Sequence, residues 1–166
     1  MAFAGSPTSG SGWILSGVAT SRMPAQPPIY GGILYQGSSY IHVAGAGVGE
    51  VNMLRLPPGR LQLFPSLSRV ISTAMVATAN LFVGNRAYTN LANVTVAEDA
   101  NSLLDDEDAG AAIDVALDIT LVADYTEWNS RTGIGIYFEI DTANIEDTDI
   151  VSLWMAYRFV ESTISE

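Results

Sequence analysis

The chain has 166 residues, which is enough for one self-sufficient domain. Charged residues make up 15% of it, against roughly 25% in an ordinary soluble domain, and its net charge is −11 with seven Arg and no Lys. The absence of Cys excludes disulfides and thiolate chemistry, and the acidic balance disfavours nucleic acid and anionic membranes as partners, because phosphates need a basic footprint.

Residues 1–48 are predicted to form an extended arm. Pro24, Pro27 and Pro28 fix φ and withhold backbone donors. Arg22 is the first basic residue, and the apolar run at 13–15 is short, so the segment is not typical of a signal peptide. Its apolar side chains are costly to leave in water, and we expect the arm to lie along its own domain or a neighbouring chain. The predicted contact residues are Trp13, Ile14, Leu15, Ile29, Tyr30, Leu34 and Tyr35.

Two motifs near the end of this segment, a glycine-rich phosphate loop and a histidine-based site, are both incomplete. The run GAGVGE at 45–50 has Glu50 where a dinucleotide fingerprint needs its third Gly, and the chain has no Lys for a phosphate loop. His42 is the only histidine, so a His-based zinc site lacks its second ligand and a triad lacks its nucleophile elbow. We therefore predict no catalytic residue, no cofactor and no metal site, with His42 packed or at an interface.

Residues 49–166 are predicted to fold as an all-β, antiparallel sandwich or jelly-roll-like domain. Many short apolar runs separated by turn residues, without an amphipathic helix of normal length, are typical of this class. Pro57-Pro58-Gly59 predicts a tight turn, and Gly84-Asn85 predicts a bend. The first predicted strands are 51–56, 60–64, 67–77, 79–85 and a short edge strand at 94–96.

The acidic run at 98–110 allows two interpretations. Asp99 or Asn101 could cap one or two helical turns that bury Leu103 and Leu104, or the run could be a solvated loop. The acids at 105–108 could bind Ca²⁺, but their spacing does not match the EF-hand pattern, and a solvated run is favoured.

Three later strands alternate between apolar and other residues, which predicts one buried face for each. The strand at 150–160 shows the pattern best and is expected to be central in its sheet. Trp154 alternates with the inward residues of this strand and is predicted to face a partner. The inward sets are Ile113, Val115, Leu117, Ile119 and Leu121; Ile134, Ile136, Phe138 and Ile140; and Val151, Leu153, Met155, Tyr157 and Phe159.

Tyr125, Glu127 and Trp128 lie together in a turn between two predicted strands. Aromatic rings beside a carboxylate are what a sugar-binding surface uses. Exposed aromatic clusters mark protein interfaces as often, so both hypotheses stay open.

Three segments together resemble the β-sandwich decoration, or cement, proteins of tailed bacteriophages. The segments are 53–88, 96–104 and 131–160, with the bend Gly84-Asn85-Arg86-Ala87-Tyr88 inside the first. The resemblance implies a protein without an active site that binds major capsid (coat) subunits on the outer surface of the head. It also implies a homo-oligomer, since such proteins are often trimers. The alternative function is a sugar- or receptor-binding module, such as a fibre or knob protein of the virion.

Overall fold

The computed structural model describes residues 32–43, 49–118, 127–141 and 145–160, with the backbone alone at residue 127. These residues form twelve β-strands and one 3-10 turn, Pro65–Leu67, and no α-helix occurs among them. The all-β prediction is therefore confirmed. The strands are β1 Leu34–Ile41, β2 Glu50–Leu56, β3 Gly59–Leu63, β4 Arg69–Ser72, β5 Asn80–Asn85, β6 Tyr88–Thr89, β7 Thr95–Val96, β8 Asp99–Asp108, β9 Ile113–Ala116, β10 Glu127–Ser130, β11 Ile134–Asp141 and β12 Ile150–Phe159.

β12 is the central strand of a six-stranded sheet, as its alternation predicts. One edge of β12 pairs with the whole of β1, and the other edge pairs with β4 and then with β3. β3 and β4 thus run along the same edge of β12, joined by the 3-10 turn, and carry β10 and β9 on their far sides. Val151, Leu153, Met155 and Tyr157 are buried, whereas Trp154 is exposed.

The second sheet has the order β2-β11-β5-β8, and all its described pairings are antiparallel. The apolar faces of the two sheets bury one common core, which includes Met53, Leu81 and Ile136 from this sheet and Leu61, Val70 and Leu153 from the six-stranded sheet. The arrangement is that of a sandwich. β6 and β7 form a separate two-stranded ribbon, in agreement with the short strand expected at 94–96.

The Pro57-Pro58-Gly59 turn joins the two sheets. It leads from β2 in the four-stranded sheet to β3 in the six-stranded sheet. Gly59 has a φ of 121°, which a residue with a side chain rarely adopts. The predicted turn is present, and its role is to pass the chain from one layer to the other.

Both predictions for residues 98–110 are wrong, because the segment forms the ten-residue strand β8 paired with β5. Two register shifts in this ladder, with a positive φ of 52° at Asp106, accommodate three consecutive buried residues at 102–104. Burial of Leu103 and Leu104 is confirmed. A partner strand that is distant in sequence therefore overrides the local helix and loop signals.

Two other local predictions are corrected. The expected bend at Gly84-Asn85 is instead the end of β5, where a side chain at Gly84 would overlap the backbone of Asp99 and Ala100 in β8. One-sided burial is predicted for this strand, yet Gly135 and Tyr137 on the second face of β11 are buried, as is Gly133 just before it. Tyr137 is covered by Arg86, whose guanidinium carbon lies 3.8 Å from the ring centre.

Part of the predicted arm belongs to the sandwich. Residues 34–41 form β1, which pairs with β12 from Leu34 opposite Tyr157 to Ile41 opposite Ile150. Tyr40 is 2% exposed and contributes to the core, so this stretch is held by burial as well as by backbone hydrogen bonds. Residues 1–31 and 44–48 lie outside the described residues, and the arm remains a prediction there. The far half of the strand predicted at 113–123 also lies outside them, since β9 is described only to Ala116 and the chain to Asp118.

The assignment of inner and outer faces after β9 can be tested with two adjacent substitutions. Leu117 is 3% exposed, whereas Asp118 is exposed. We expect Leu117→Asp to lower the free energy of unfolding by about 4 kcal/mol or more, because it removes buried apolar volume and buries a charge. Asp118→Leu should change it by about 1 kcal/mol or less, because a polar contact of an exposed side chain contributes little. Chemical denaturation measures both, and equal losses would show that the faces are assigned wrongly.

Candidate functional site

The outer surface of the six-stranded sheet collects the exposed apolar side chains of the described chain. Six of the eight large ones lie in its strands, beside their ends or in the adjoining 3-10 turn, and none lies in the four-stranded sheet. They are Ile33, Tyr35, Val43, Leu67, Ile71 and Trp154. We call the central part, formed by Tyr35, Gly37, Ile71 and Trp154, the Trp154 face. Apolar side chains gathered in this way are typical of an interaction surface.

The indole ring of Trp154 lies over β1 because the residue opposite it has no side chain. Gly37 is its partner across the β1–β12 ladder, and a Cβ atom at Gly37 would overlap the indole ring. The ring therefore lies over β1 and remains 47% exposed. Tyr35, two residues along β1, is 61% exposed. A large ring fixed in this position loses little conformational freedom when a partner covers it.

The rest of this surface carries polar side chains that bond to one another. The Ser39 and Ser152 hydroxyls share a hydrogen bond of 2.7 Å. Arg69, which is next to Trp154 in the ladder, donates to the Asp114 carboxylate at 2.6 Å. Arg158 donates to the Gln62 side chain at 2.7 Å. A partner that covers this face would therefore meet Arg69 already paired with a carboxylate and Arg158 already hydrogen-bonded.

The four-stranded sheet has an acidic outer surface centred on Arg86. The Arg86 guanidinium pairs with Glu50 at 2.6 Å and Glu98 at 3.1 Å and donates to Asn52 at 2.8 Å. Burial raises the pKa of the Tyr137 hydroxyl beneath it, and the nearby Glu98 charge raises it further. Arg86 thus contacts two carboxylates, and Arg55 lies in β2. Acids outnumber these two cations in and beside the strands of this sheet, so its surface is acidic.

Glu139 is the acid in this group whose environment opposes its charge. It lies directly across the β2–β11 ladder from Glu50, and like charges in this position repel. Burial raises the pKa of the Glu139 carboxyl above its usual value, and the charges of Glu50 and Asp141 raise it further, although Arg86 acts in the opposite direction.

The acidic strand β8 borders a shallow notch of about 420 Å³ facing β9. Its lining includes the carboxylates of Asp105, Glu107 and Asp118 around an apolar floor. Among the described residues no group of three acidic, His or Cys side chains is arranged to hold a metal ion. No described helix is long and apolar enough to cross a membrane.

His42 is packed inside the fold. It is 4% exposed, and its Nδ1 atom lies 2.9 Å from the hydroxyl of buried Tyr40. Its backbone N–H donates to the carbonyl of Asp149 at 2.9 Å. These contacts give it a structural role at the end of β1, as the sequence predicts.

The predicted interface residues are only partly described. Tyr35 and Trp154 are exposed on the same sheet, whereas Leu34 is half-buried and packs against the core. The remaining predicted contacts, Trp13, Ile14, Leu15, Ile29 and Tyr30, lie outside the described residues. Ile71 was not singled out from the sequence, although its alternation with buried Val70 and Ser72 is the signal that could have revealed it.

The predicted sugar-binding turn does not expose its tryptophan. Trp128 is 5% exposed and stacks on Tyr88, with the ring centres 6.5 Å apart and the planes 23° from parallel. Because β10 pairs with β3, this ring contributes to the core and has no open face for a sugar. Tyr125 and the Glu127 side chain lie outside the described residues.

No protein-family model and no curated protein matches the chain. Two solved structures match its fold. The first is the capsid of Ralstonia phage GP4, with a TM-score of 0.60 and 12% identity over 86% of this chain and 94% of that chain. The second is the capsid asymmetric unit of cyanophage Pam1, with a TM-score of 0.53 and 11% identity over 86% of this chain and 96% of that chain. At these identities the similarity shows a shared β-sandwich fold.

The Glu139 environment predicts a pH-dependent gain of stability on substitution. A raised folded-state pKa means that ionised Glu139 costs stability above that pKa and costs nothing below the unfolded pKa of about 4.3. Glu139→Gln should therefore raise the free energy of unfolding by about 0.5 kcal/mol at pH 7, and the gain should vanish below pH ~4.

Glu98→Gln is the matched control for this experiment. The Glu98 carboxylate accepts a hydrogen bond from Arg86, so its neutralisation should bring no gain at pH 7. Denaturant titrations at several pH values measure both variants. A Glu139→Gln gain that persists unchanged at pH 3 would contradict the assigned cause.

Proposed function

We propose that the chain is a structural virion protein that decorates the outer surface of a phage head. It stabilises the head by binding coat subunits and has no enzymatic activity. The proposal is supported by the fold, which is similar over 86% of the chain to chains described as phage capsid components.

The distribution of surface side chains is the observation that carries this proposal. Six of the eight large exposed apolar side chains of the described chain lie in or beside one sheet, whereas acids surround Arg86 on the other. A protein that attaches through one face and exposes the other to solvent needs this asymmetry. Apolar contact provides affinity on the attached side, and net negative charge keeps the outer side soluble.

Trp154 is the expected anchor of the attachment. Buried aromatic residues near the centre of an interface usually contribute a large share of the binding free energy. Trp154 lies on the central strand, with Tyr35 and Ile71 on the strands to either side of β12. In this proposal the residues before β1, including Trp13 and Tyr30, extend the same contact along a neighbouring subunit.

A sugar- or receptor-binding role, the alternative considered from sequence, has less support. It required Trp128 to stack on a sugar ring, and that side chain is buried against Tyr88.

Attachment through the Trp154 face can be measured on heads assembled without this protein. Trp154→Ala should weaken binding to such heads by about 30-fold, because a central aromatic anchor contributes about 2 kcal/mol. Leu91→Ala is the matched control, since Leu91 is 45% exposed but lies outside the six-stranded sheet. Co-sedimentation with heads gives both affinities.

Two outcomes would count against the proposal. Equal binding of the Trp154→Ala and Leu91→Ala proteins would remove the Trp154 face from the interface. Failure of the unmodified protein to bind any assembled head would contradict the decoration role itself.

A further inference from the structure

β1 presents an open edge in the described part of the chain. One side of it pairs with β12, and no described strand pairs with the other. The ladder continues to His42, whose N–H bonds to Asp149 on the β12 side. Because backbone groups point alternately to the two sides of a strand, even-numbered residues of β1 bond to β12. The N–H and C=O groups of Tyr35, Gly37, Ser39 and Ile41 therefore point to the open edge.

This edge lacks the features that usually prevent two strand edges from joining. Proteins protect exposed edges with charged side chains, Pro, bulges or very short strands. β1 has eight residues, and residues 33–43 contain no Asp, Glu, Arg or Pro. β8, at an edge of the other sheet, has acids at 99 and 105–108 and irregular pairing with β5.

We propose that β1 pairs antiparallel with β1 of a second copy of this chain, around a twofold axis at Ser38. The two six-stranded sheets then become one continuous sheet. A symmetric contact of this kind is the commonest way in which identical chains associate. It needs no other protein, and it stands independently of the proposed function.

Side-chain size selects this register. Residues on the same face must meet, so odd-numbered residues pair with odd-numbered ones. An axis at Ser38 brings Tyr35 opposite Ile41 and Gly37 opposite Ser39 of the second copy. Beyond the strand ends, it brings Ile33 opposite Val43, which are 42% and 48% exposed in the single chain. Large residues thus meet large ones. An axis at residue 37 would instead place Tyr35 against Ser39, and an axis at residue 39 would place Gly37 against Ile41.

Ser38 provides a second, independent observation. It is 5% exposed, and its hydroxyl has no hydrogen-bond partner among the described residues. On the axis it would face its own counterpart in a non-hydrogen-bonded pair, where the Cα atoms are about 4.5 Å apart. The chain already contains such a pair, since Ser39 and Ser152 lie opposite each other in the β1–β12 ladder and bond at 2.7 Å. A second copy would satisfy the Ser38 hydroxyl in the same way.

Charge favours a second copy of this chain as the occupant of the edge. Each copy has a net charge of −11, so two copies can approach closely only where carboxylates are absent. Residues 33–43 carry no Asp or Glu, and Asp149, which bonds to His42, lies on the β12 side of the strand. The contact would also cover Tyr35, Ile33 and Val43, three of the most exposed apolar side chains beside this edge.

A single cysteine tests the position of the axis, because the chain has no Cys of its own. In the full chain, Ser38→Cys should form a disulfide-linked dimer under mild oxidation, since facing residues at the axis are close enough for a disulfide. Ser72→Cys is the matched control. Ser72 is equally buried and also lacks a hydrogen-bond partner, but β12 and β9 flank it on both sides. It should give no linked dimer.

A backbone substitution tests the pairing itself. Ser39→Pro removes an N–H that points to the open edge, whereas Ser39→Ala removes the same hydroxyl and keeps that N–H. Analytical ultracentrifugation should show a dimer for the native chain and for Ser39→Ala, and at least tenfold weaker dimerisation for Ser39→Pro. Circular dichroism checks that both variants fold.

Three results would overturn the pairing. The first is a native chain that stays monomeric at about 100 μM. The second is a dimer without cross-linking at Ser38→Cys, which would mean that copies meet through another surface. The third is unchanged dimerisation of a folded Ser39→Pro chain. All are measured on the free protein without heads, so they are separate from failure of the proposed attachment.

Discussion

Central strand β12 is the constraint on which the rest of the six-stranded sheet depends. It pairs with three strands, β1 on one edge and β3 and β4 on the other, so its alternation sets the inner and outer faces for all of them. Its odd-numbered residues from Val151 to Tyr157 fill the core. Among its even-numbered residues Trp154 is exposed on the outer surface, whereas Ala156 is buried. A one-residue slip of this strand would exchange the two faces. The same pairing thus secures the fold and positions the Trp154 face.

The two sheets divide apolar contact and charge between them. The six-stranded sheet exposes Trp154, Tyr35 and Ile71, and its Arg69 is already paired with Asp114. The four-stranded sheet depends on Arg86 to hold Glu50 and Glu98, and Glu139 remains in a repulsive position beside them. The outer surface of this sheet therefore keeps an excess of negative charge, although Arg86 is paired with two carboxylates. The division gives the molecule one side suited to a partner and one suited to solvent.

Much of the fold could be predicted from sequence, because one-sided burial leaves an alternating pattern in β12 and β9 and in the inward residues of β11. The burial of both faces of β11 could not, because Tyr137 is covered by Arg86, which is distant in sequence. The acidic segment that forms β8 has local signals for a helix or a loop, and pairing with β5 decides its structure. β1 follows a Pro-rich segment and resembles an arm until its pairing with β12 is known. In the candidate site, the exposure of Trp154 and Tyr35 could be predicted from sequence. The position of Gly37 under the Trp154 ring could not, because it depends on the register of the β1–β12 ladder.

The open edge of β1 and the Trp154 face adjoin each other on one sheet, so the proposed pairing would affect the proposed attachment to a phage head. Pairing of two copies through β1 would place both Trp154 faces on the same side of one continuous sheet. Binding of one face to a surface would then hold the second face near the next site at a high effective concentration. Overall affinity could rise by a factor of 10² to 10⁴ over that of a single face, provided that the spacing of sites on the head fits the pair. A modest apolar face would then be enough for stable attachment, and the acidic sheets of both copies would remain exposed to solvent.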